Sequence, residues 1–230
     1  MKHRNSHLLV GYWSRLRRGR QTPDQADIDP RAIKRMLSHV FILDARDAAR
    51  PAYRLAGTTL CDRFGLELRG MSFFAHWEAG ARGTVQSLLQ QSLAARQPVS
   101  IASIGVTSEC AMVEMETVLA PLTFGAGAPT RFLGMVQWMG DIGALAARPV
   151  SYQRLVGSQM IREDDAASFP LDPPPPTAFD PIQATAKTPH LRLVVSREKA
   201  PTLHFGVDCA MQEIVNALEI VARPPVSIVR

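Results

Sequence analysis

Two short runs rich in β-branched and aromatic residues, Val40-Phe41-Ile42-Leu43-Asp44 and Tyr53-Arg54-Leu55-Ala56-Gly57-Thr58, are separated only by the charged, proline-containing stretch Ala45 to Ala52. Runs of this kind on either side of a polar connection predict adjacent antiparallel strands. Gly57-Thr58 ends the second run, and Thr58 stands where it can cap a helical turn carrying Leu60 and Phe64. Phe64-Gly65 and Leu68-Arg69-Gly70 then punctuate the chain. A hairpin passing into short, glycine-broken helices opens a small α+β domain. A dinucleotide-binding unit would need a parallel strand and a phosphate loop at this place.

The order of elements downstream fits the same class. Met71-Ser-Phe-Phe-Ala-His-Trp77 is dense in aromatics and leads into Gly83 to Arg96, where Val85, Leu88, Leu89 and Leu93 recur at the spacing of one buried helical face. Gln97-Pro98 stops that helix, and three strands are predicted at Val99 to Thr107, Met112 to Leu122 and Arg131 to Met139. In the middle one Val113, Met115 and Thr117 alternate with Glu114 and Glu116, which predicts one covered and one wet face. The glycines of Phe124 to Pro129 suit a hairpin turn. Phe41, Leu55, Met115 and Val136 are expected to converge under the Val85 to Leu93 helix.

Ahead of the hairpin, Leu8, Leu9, Tyr12, Trp13 and Leu16 mark an amphipathic helix over His7 to Arg18, and Asp29-Pro30 is a helix start for Arg31 to Ser38, with Ile33, Met36 and Leu37 inward. The formal net charge is +5, and Lys2, Arg4, Arg15, Arg17, Arg18 and Arg20 all precede the first acidic residue, Asp24. Such an arm suits an acidic partner, a nucleic acid or an anionic membrane surface, or is simply a solvated face. Packing on the domain or on a second subunit is the expected use of Trp13.

The 230 residues are 46% hydrophobic and 20% charged, ordinary globular chemistry, and no apolar run approaches the roughly 20 residues of a membrane span. Nor is there an export-signal pattern, so a soluble cytoplasmic protein is expected. Cys61, Cys110 and Cys209 are too widely spaced for a zinc site or a disulfide framework. After Gly143 the composition changes. Ser151 to Ile161 is expected to add a short helix, and Phe169 to Pro181, with Pro173 to Pro176 consecutive, to act as an extended linker. His190 to Val195 is a strand candidate. Asp208 to Arg223 then carries Met211, Ile214, Val215, Leu218 and Val221 as one apolar stripe before Pro224-Pro225. That helix can fold back, pair with its copy or dock on a client.

This order resembles the PAS domain, an α+β fold whose five-stranded antiparallel sheet carries short helices and one longer helix across one face. The series Trp13-Ser-Arg-Leu-Arg-Arg-Gly-Arg20, Pro23, Asp27-Ile-Asp-Pro30, Leu43-Asp44, Tyr53 to Thr58 and Phe64-Gly65 is similar to a PAS-like family of unknown function from alphaproteobacteria, over roughly residues 8 to 142. The resulting organisation is an N-terminal helical extension (1–38), a PAS-like domain (39–142), a Pro-rich linker (143–189) and a C-terminal segment with the amphipathic helix (190–230).

The resemblance implies a sensory or regulatory signalling module of bacterial type, working through protein clients or a homodimer, with nucleic acid or a membrane surface as the alternative. PAS domains sense through a cavity between sheet and helices, and Tyr53, Phe64, Phe73, His76, Trp77 and Trp138 are its candidate lining here, although the same residues also serve as core. A flavin photoadduct needs a cysteine in a segment like Gly-x-Asn-Cys-Arg-Phe-Leu-Gln, where this chain has Gly70-Met-Ser-Phe-Phe74 and Cys61 lies too early. Haem-binding relatives hang iron from a histidine near the place of His76, but a hydrogen-bonded structural histidine is the commoner use, and no cofactor is expected. Partner-binding candidates are Trp13, Arg17 and Arg18 on the first helix and Met211, Ile214 and Leu218 on the last. No catalytic constellation is present: there is no Gly-x-Ser-x-Gly, His-Glu-x-x-His or phosphate loop, and Glu109, Glu114 and Glu116 read as surface charge, so no enzyme is expected.

Overall fold

Runs rich in β-branched and apolar residues build one antiparallel sheet from β1 (Val40–Asp44), β2 (Ala52–Ala56), β3 (Val99–Thr107), β4 (Met112–Leu122), β5 (Arg131–Met139) and β6 (Val150–Met160), in the order β2-β1-β5-β4-β3-β6. The structure is a computed structural model and describes residues 1–162 apart from 48, 141, 146 and 147. The predicted linker beyond residue 162, the strand candidate at His190 and the helix at 208–223 lie outside the described residues. Among the described residues no helix is long and apolar enough to cross a membrane.

Among the described residues the sheet has six strands where five were expected. Ser151 to Ile161, expected as a helix, is β6, paired antiparallel with β3 from Val99 opposite Met160 to Thr107 opposite Val150. Gln153 and Leu155, opposite Gly105 and Ser103, share one face while Tyr152 and Arg154 turn to the other, a period of two that the short apolar pattern conceals. The segment also finds an open sheet edge to pair, which no local pattern reveals.

Between β2 and β3 the chain crosses one face of the sheet through α2 (Thr58–Phe64), a 3₁₀ turn at Phe73–His76 and α3 (Ala79–Ala95). Residue 57, not Thr58, caps α2. Gly57 donates its N–H to the carbonyl of Val40 at 2.8 Å, and a Cβ there would collide with the backbone of Leu37 and Ser38. The first helix, α1 (Arg4–Leu16), begins before His7, while the expected helix Arg31 to Ser38 is two 3₁₀ turns, Pro30–Ile33 and Leu37–His39. Ile33, Met36 and Leu37 are buried as the pattern predicts, but β1 starts at Val40 and leaves no length for a full helix.

Each face of the sheet carries its own core. The inner one gathers Phe41, Leu43, Tyr53, Phe64, Phe73, Trp77, Val85, Leu89, Met115, Val136 and Trp138 beneath α2 and α3. The outer one gathers Leu9, Trp13, Ile33, Leu37, Ile42, Val118 and Met135 beneath α1, which lies against β4 and β5. Leu55, expected among the inner residues, packs on the outer core. The register of β1 and β2 shifts between Ile42 and Leu43, so Leu43 faces Tyr53 but Ile42 faces Leu55, with Arg54 as the extra residue of a bulge. One inserted residue reverses the face of everything beyond it.

Glu116 is the second correction on this sheet. Predicted to be wet, it is only 5% exposed. Its carboxylate accepts the backbone N–H of Lys2 at 2.5 Å and of His3 at 3.2 Å, the last two residues before α1 begins. A carboxylate there meets donors that the helix itself cannot satisfy. Trp13 anchors the other side of α1, its indole N–H donating to the carbonyl of Pro121 at 2.6 Å.

Candidate functional site in the aromatic core

All six residues proposed as a cavity lining come together, placed by several local devices. Tyr53 enters from β2 and Trp138 from the far end of β5. Phe64 closes α2, whose last turn is ended by Gly65 at φ +70°, a conformation that favours glycine. Phe73 and His76 ride on the 3₁₀ turn capped by Ser72, whose side chain accepts the N–H of Phe74 at 3.2 Å. Trp77 follows and is fixed by its backbone. Its carbonyl accepts Nε–H of Arg82 at 2.9 Å, and the next N–H, of Glu78, donates to Gln153 on β6 at 2.9 Å.

The rings form two connected groups. Phe73 lies 5.8 Å from Tyr53, 6.1 Å from Phe41 and 6.0 Å from Trp77, centroid to centroid. Phe64 stands 4.6 Å from the imidazole of His76 and 6.0 Å from Trp138. These are packed aromatic contacts, worth about 0.5–1.5 kcal/mol each beyond the buried area.

The polar atoms of the group are less well served. Nδ1 of His76, Nε1 of Trp77 and Nε1 of Trp138 are buried and make no hydrogen bond among the described residues. An unpaired buried donor costs about 1–3 kcal/mol, and native proteins contain few of them. Three within one aromatic group is a concentration. Burial lowers the pKa of His76 and raises that of Tyr53, so at neutral pH the group holds a neutral imidazole and a neutral phenol. An indole nitrogen can only donate, whereas a neutral imidazole nitrogen donates or accepts according to its tautomer. What this set can bind is therefore the hydrogen-bonding end of an uncharged molecule.

A polar strip beside the aromatic rings had no signal in the sequence. Ser103 on β3 donates to Oε1 of Gln153 on β6 at 3.3 Å, both buried. It escaped because the segment containing Gln153 read as a helix. Among the described residues no group of three or more His, Cys, Asp or Glu is placed to hold a metal ion.

The PAS domain family matches residues 1–137 of the chain. The chain belongs to the PAS domain family. The match spans α1, the turns after it and the strands as far as residue 137 on β5, and the sheet itself continues to Met160. Among solved structures the chain is similar to a Rhodobacter sphaeroides LOV protein, at 12% identity over 51% of this chain and 72% of that one, with a TM-score of 0.39. It is likewise similar to the light-state LOV domain of the blue-light photoreceptor Aureochrome1, at 11% identity over 51% and 93%, with a TM-score of 0.37. The search of curated proteins found no match.

Of the partner-binding candidates, Trp13, Arg17 and Arg18 are described. Trp13 is 1% exposed and belongs to the outer core of the PAS domain itself. Arg17 covers its ring at 5.4 Å and donates Nε–H to the carbonyl of Arg20 at 2.9 Å, while Arg20 reaches Asp27 at 2.5 Å. Arg18 is exposed with φ +46°. Two of the arm's arginines thus serve the end of α1. Met211, Ile214 and Leu218 lie outside the described residues.

Proposed function

We propose that this PAS domain is a non-enzymatic, cytoplasmic sensory module that takes an uncharged, largely apolar small molecule among Phe64, Phe73, His76, Trp77 and Trp138, and passes the change to protein clients. The supporting observation is the trio of unpartnered nitrogens on His76, Trp77 and Trp138. A carbonyl or ether oxygen near the Trp77 and Trp138 indoles would give an acceptor to donors that lack one among the described residues, within an otherwise apolar wall.

Transmission follows from the position of Phe64. Its ring touches His76 and Trp138, and its helix, α2, packs on the Leu37–His39 turn and on β6. A ligand that displaces Phe64 therefore acts on an element of seven residues flanked by Gly57 and Gly65. Moving α2 changes its contacts with the turn that leads into β1 and with the strand that leads out of the described chain. The ligand shifts this equilibrium only by binding one arrangement more tightly than the other.

The test is a thermal melt of the full chain titrated with a small apolar ketone, acetophenone. Stabilisation of the native state is expected to follow the probe concentration. A Trp77→Phe/Trp138→Phe variant, which keeps ring bulk and loses both donors, is expected to lose about tenfold in affinity, the effect of one hydrogen bond of about 1.4 kcal/mol. Equal responses of the two proteins would overturn the reading.

A further inference from the structure

Away from the aromatic core, three guanidinium groups converge on one carboxylate at the outer face of the sheet. Asp44 ends β1, and its register partner on β5 is Arg131. Arg54 is the extra residue of the β1–β2 bulge, which brings its side chain to Asp44. Oδ2 of Asp44 lies 2.8 Å from Nη2 of Arg46, 3.7 Å from Nη1 of Arg54 and 3.8 Å from Nη2 of Arg131. Among the described residues only Arg46 hydrogen-bonds it. Its Nε–H reaches Oδ1 at 2.9 Å and Oδ2 at 3.1 Å, and its backbone N–H donates to Oδ1 at 3.2 Å. The carboxylate is occupied by Arg46, and the other two guanidiniums stand beyond hydrogen-bond distance of it.

Arg131 is the unusual member. It is 1% exposed, yet its Nη1–H donates to a neutral acceptor, Oε1 of Gln25, at 2.5 Å, and its guanidinium lies under the ring of Phe124 at 3.5 Å. Its Nε makes no hydrogen bond among the described residues. Asp24 is near enough to attract it, but the oxygens of Asp24 take the hydroxyl of Thr123, the N–H of Gly125 and the N–H of Ala26. Burial, with repulsion from Arg54 and Arg46, outweighs the pull of Asp44 and Asp24 and lowers the pKa of Arg131 to about 10. A buried cation is ordinarily matched by a hydrogen-bonded anion, and this one has none among the described residues. Even with Asp24 counted, three cations here face two anions.

We propose that Arg46, Arg54 and Arg131 form an oxyanion site, taking the phosphoryl or carboxylate group of a small ligand. Arg46 and Arg54 are its open side, with side chains 64% and 37% exposed, and Arg131 is its buried floor. The planar guanidinium fork matches either oxyanion, whose second oxygen would supply the acceptor that Asp44 gives to Arg46 alone. This site is on the opposite face from the aromatic core, and its ligand is independent of the one proposed there.

Thermal melting of the full chain in inorganic phosphate, succinate and chloride at matched ionic strength tests the proposal. One of the first two is expected to raise Tm above chloride in a saturable way, and which one does so assigns the group as phosphoryl or carboxylate. Arg54→Gln and Arg46→Gln, both at accessible positions, are expected to weaken that response at least tenfold, while Arg69→Gln, exposed elsewhere on the surface, leaves it unchanged. Identical melting in all three anions, or an undiminished response in the Arg54 and Arg46 variants, would overturn it.

Discussion

The imidazole of His76 lies 4.6 Å from the ring of Phe64 and tilts 48° to it, and its Nδ1 has no hydrogen-bond partner among the described residues. One contact thus joins a polar atom without an acceptor to the last turn of α2, the short helix that packs on both the chain leading into β1 and the strand at the sheet edge. In the proposed function, the ligand and the helix that transmits its binding meet at Phe64.

Burial holds the pKa of His76 below its ordinary value, so the unfolded chain takes up this proton at a higher pH than the folded one does. Stability is then full above about pH 6.5 and is lost as pH falls from there toward the lower folded pKa. His39 is lowered too, by burial first and then by His3 and Arg63, and contributes in the same direction. Urea unfolding midpoints between pH 5 and 8 are expected to fall with acidity, and less steeply in His76→Leu. Parallel curves for the two proteins would mean that His76 does not titrate this way.

Gly134 on β5 carries the ring of Phe41 directly on its Cα, and a Cβ there would run into that ring. Gly134→Ala is expected to destabilise by about 1–3 kcal/mol, the usual effect of overpacking a full core. Gly83 on α3 meets nothing within 4 Å, and Gly83→Ala is expected to stabilise by about 0.5–1 kcal/mol through helix propensity. Denaturant melts of both variants check the pair, and the opposite signs are the result to look for.

Removing the Glu116 carboxylate leaves the N–H groups of Lys2 and His3 without their acceptor. Glu116→Ala is expected to cost about 1–3 kcal/mol and to speed hydrogen exchange in α1 ahead of the sheet. Glu114, exposed on the same strand face, is the control: its alanine variant is expected within about 0.5 kcal/mol of the parent.

The contrast between these two glutamates shows what a sequence conveys. The bounds of β1, β3, β4 and β5 follow from local composition, and Val113, Met115 and Thr117 face inward as the alternation requires. The wetness of Glu116 did not follow, because what covers it is the start of α1, more than a hundred residues earlier. The bulge at Arg54 is likewise invisible locally, since it is defined by register against β1, and it both reverses Leu55 and brings Arg54 to Asp44. For the aromatic core, the density of rings from Phe73 to Trp77 announced the wall. That three of its nitrogens lack acceptors depends on the packing of α2, β5 and the 3₁₀ turn together, which periodicity does not encode.

The chain has three tryptophans, and the fold sets one apart from the other two. The indole N–H of Trp13 donates to Pro121 at 2.6 Å, whereas those of Trp77 and Trp138 have no acceptor among the described residues. A ¹⁵N–¹H spectrum of the indole resonances, assigned by single Trp→Phe variants and recorded as acetophenone is added, reads this difference directly. The Trp77 and Trp138 signals are predicted to move downfield and saturate together while Trp13 stays in place. Three unmoved signals, or three that drift alike, would contradict a ligand site among these residues.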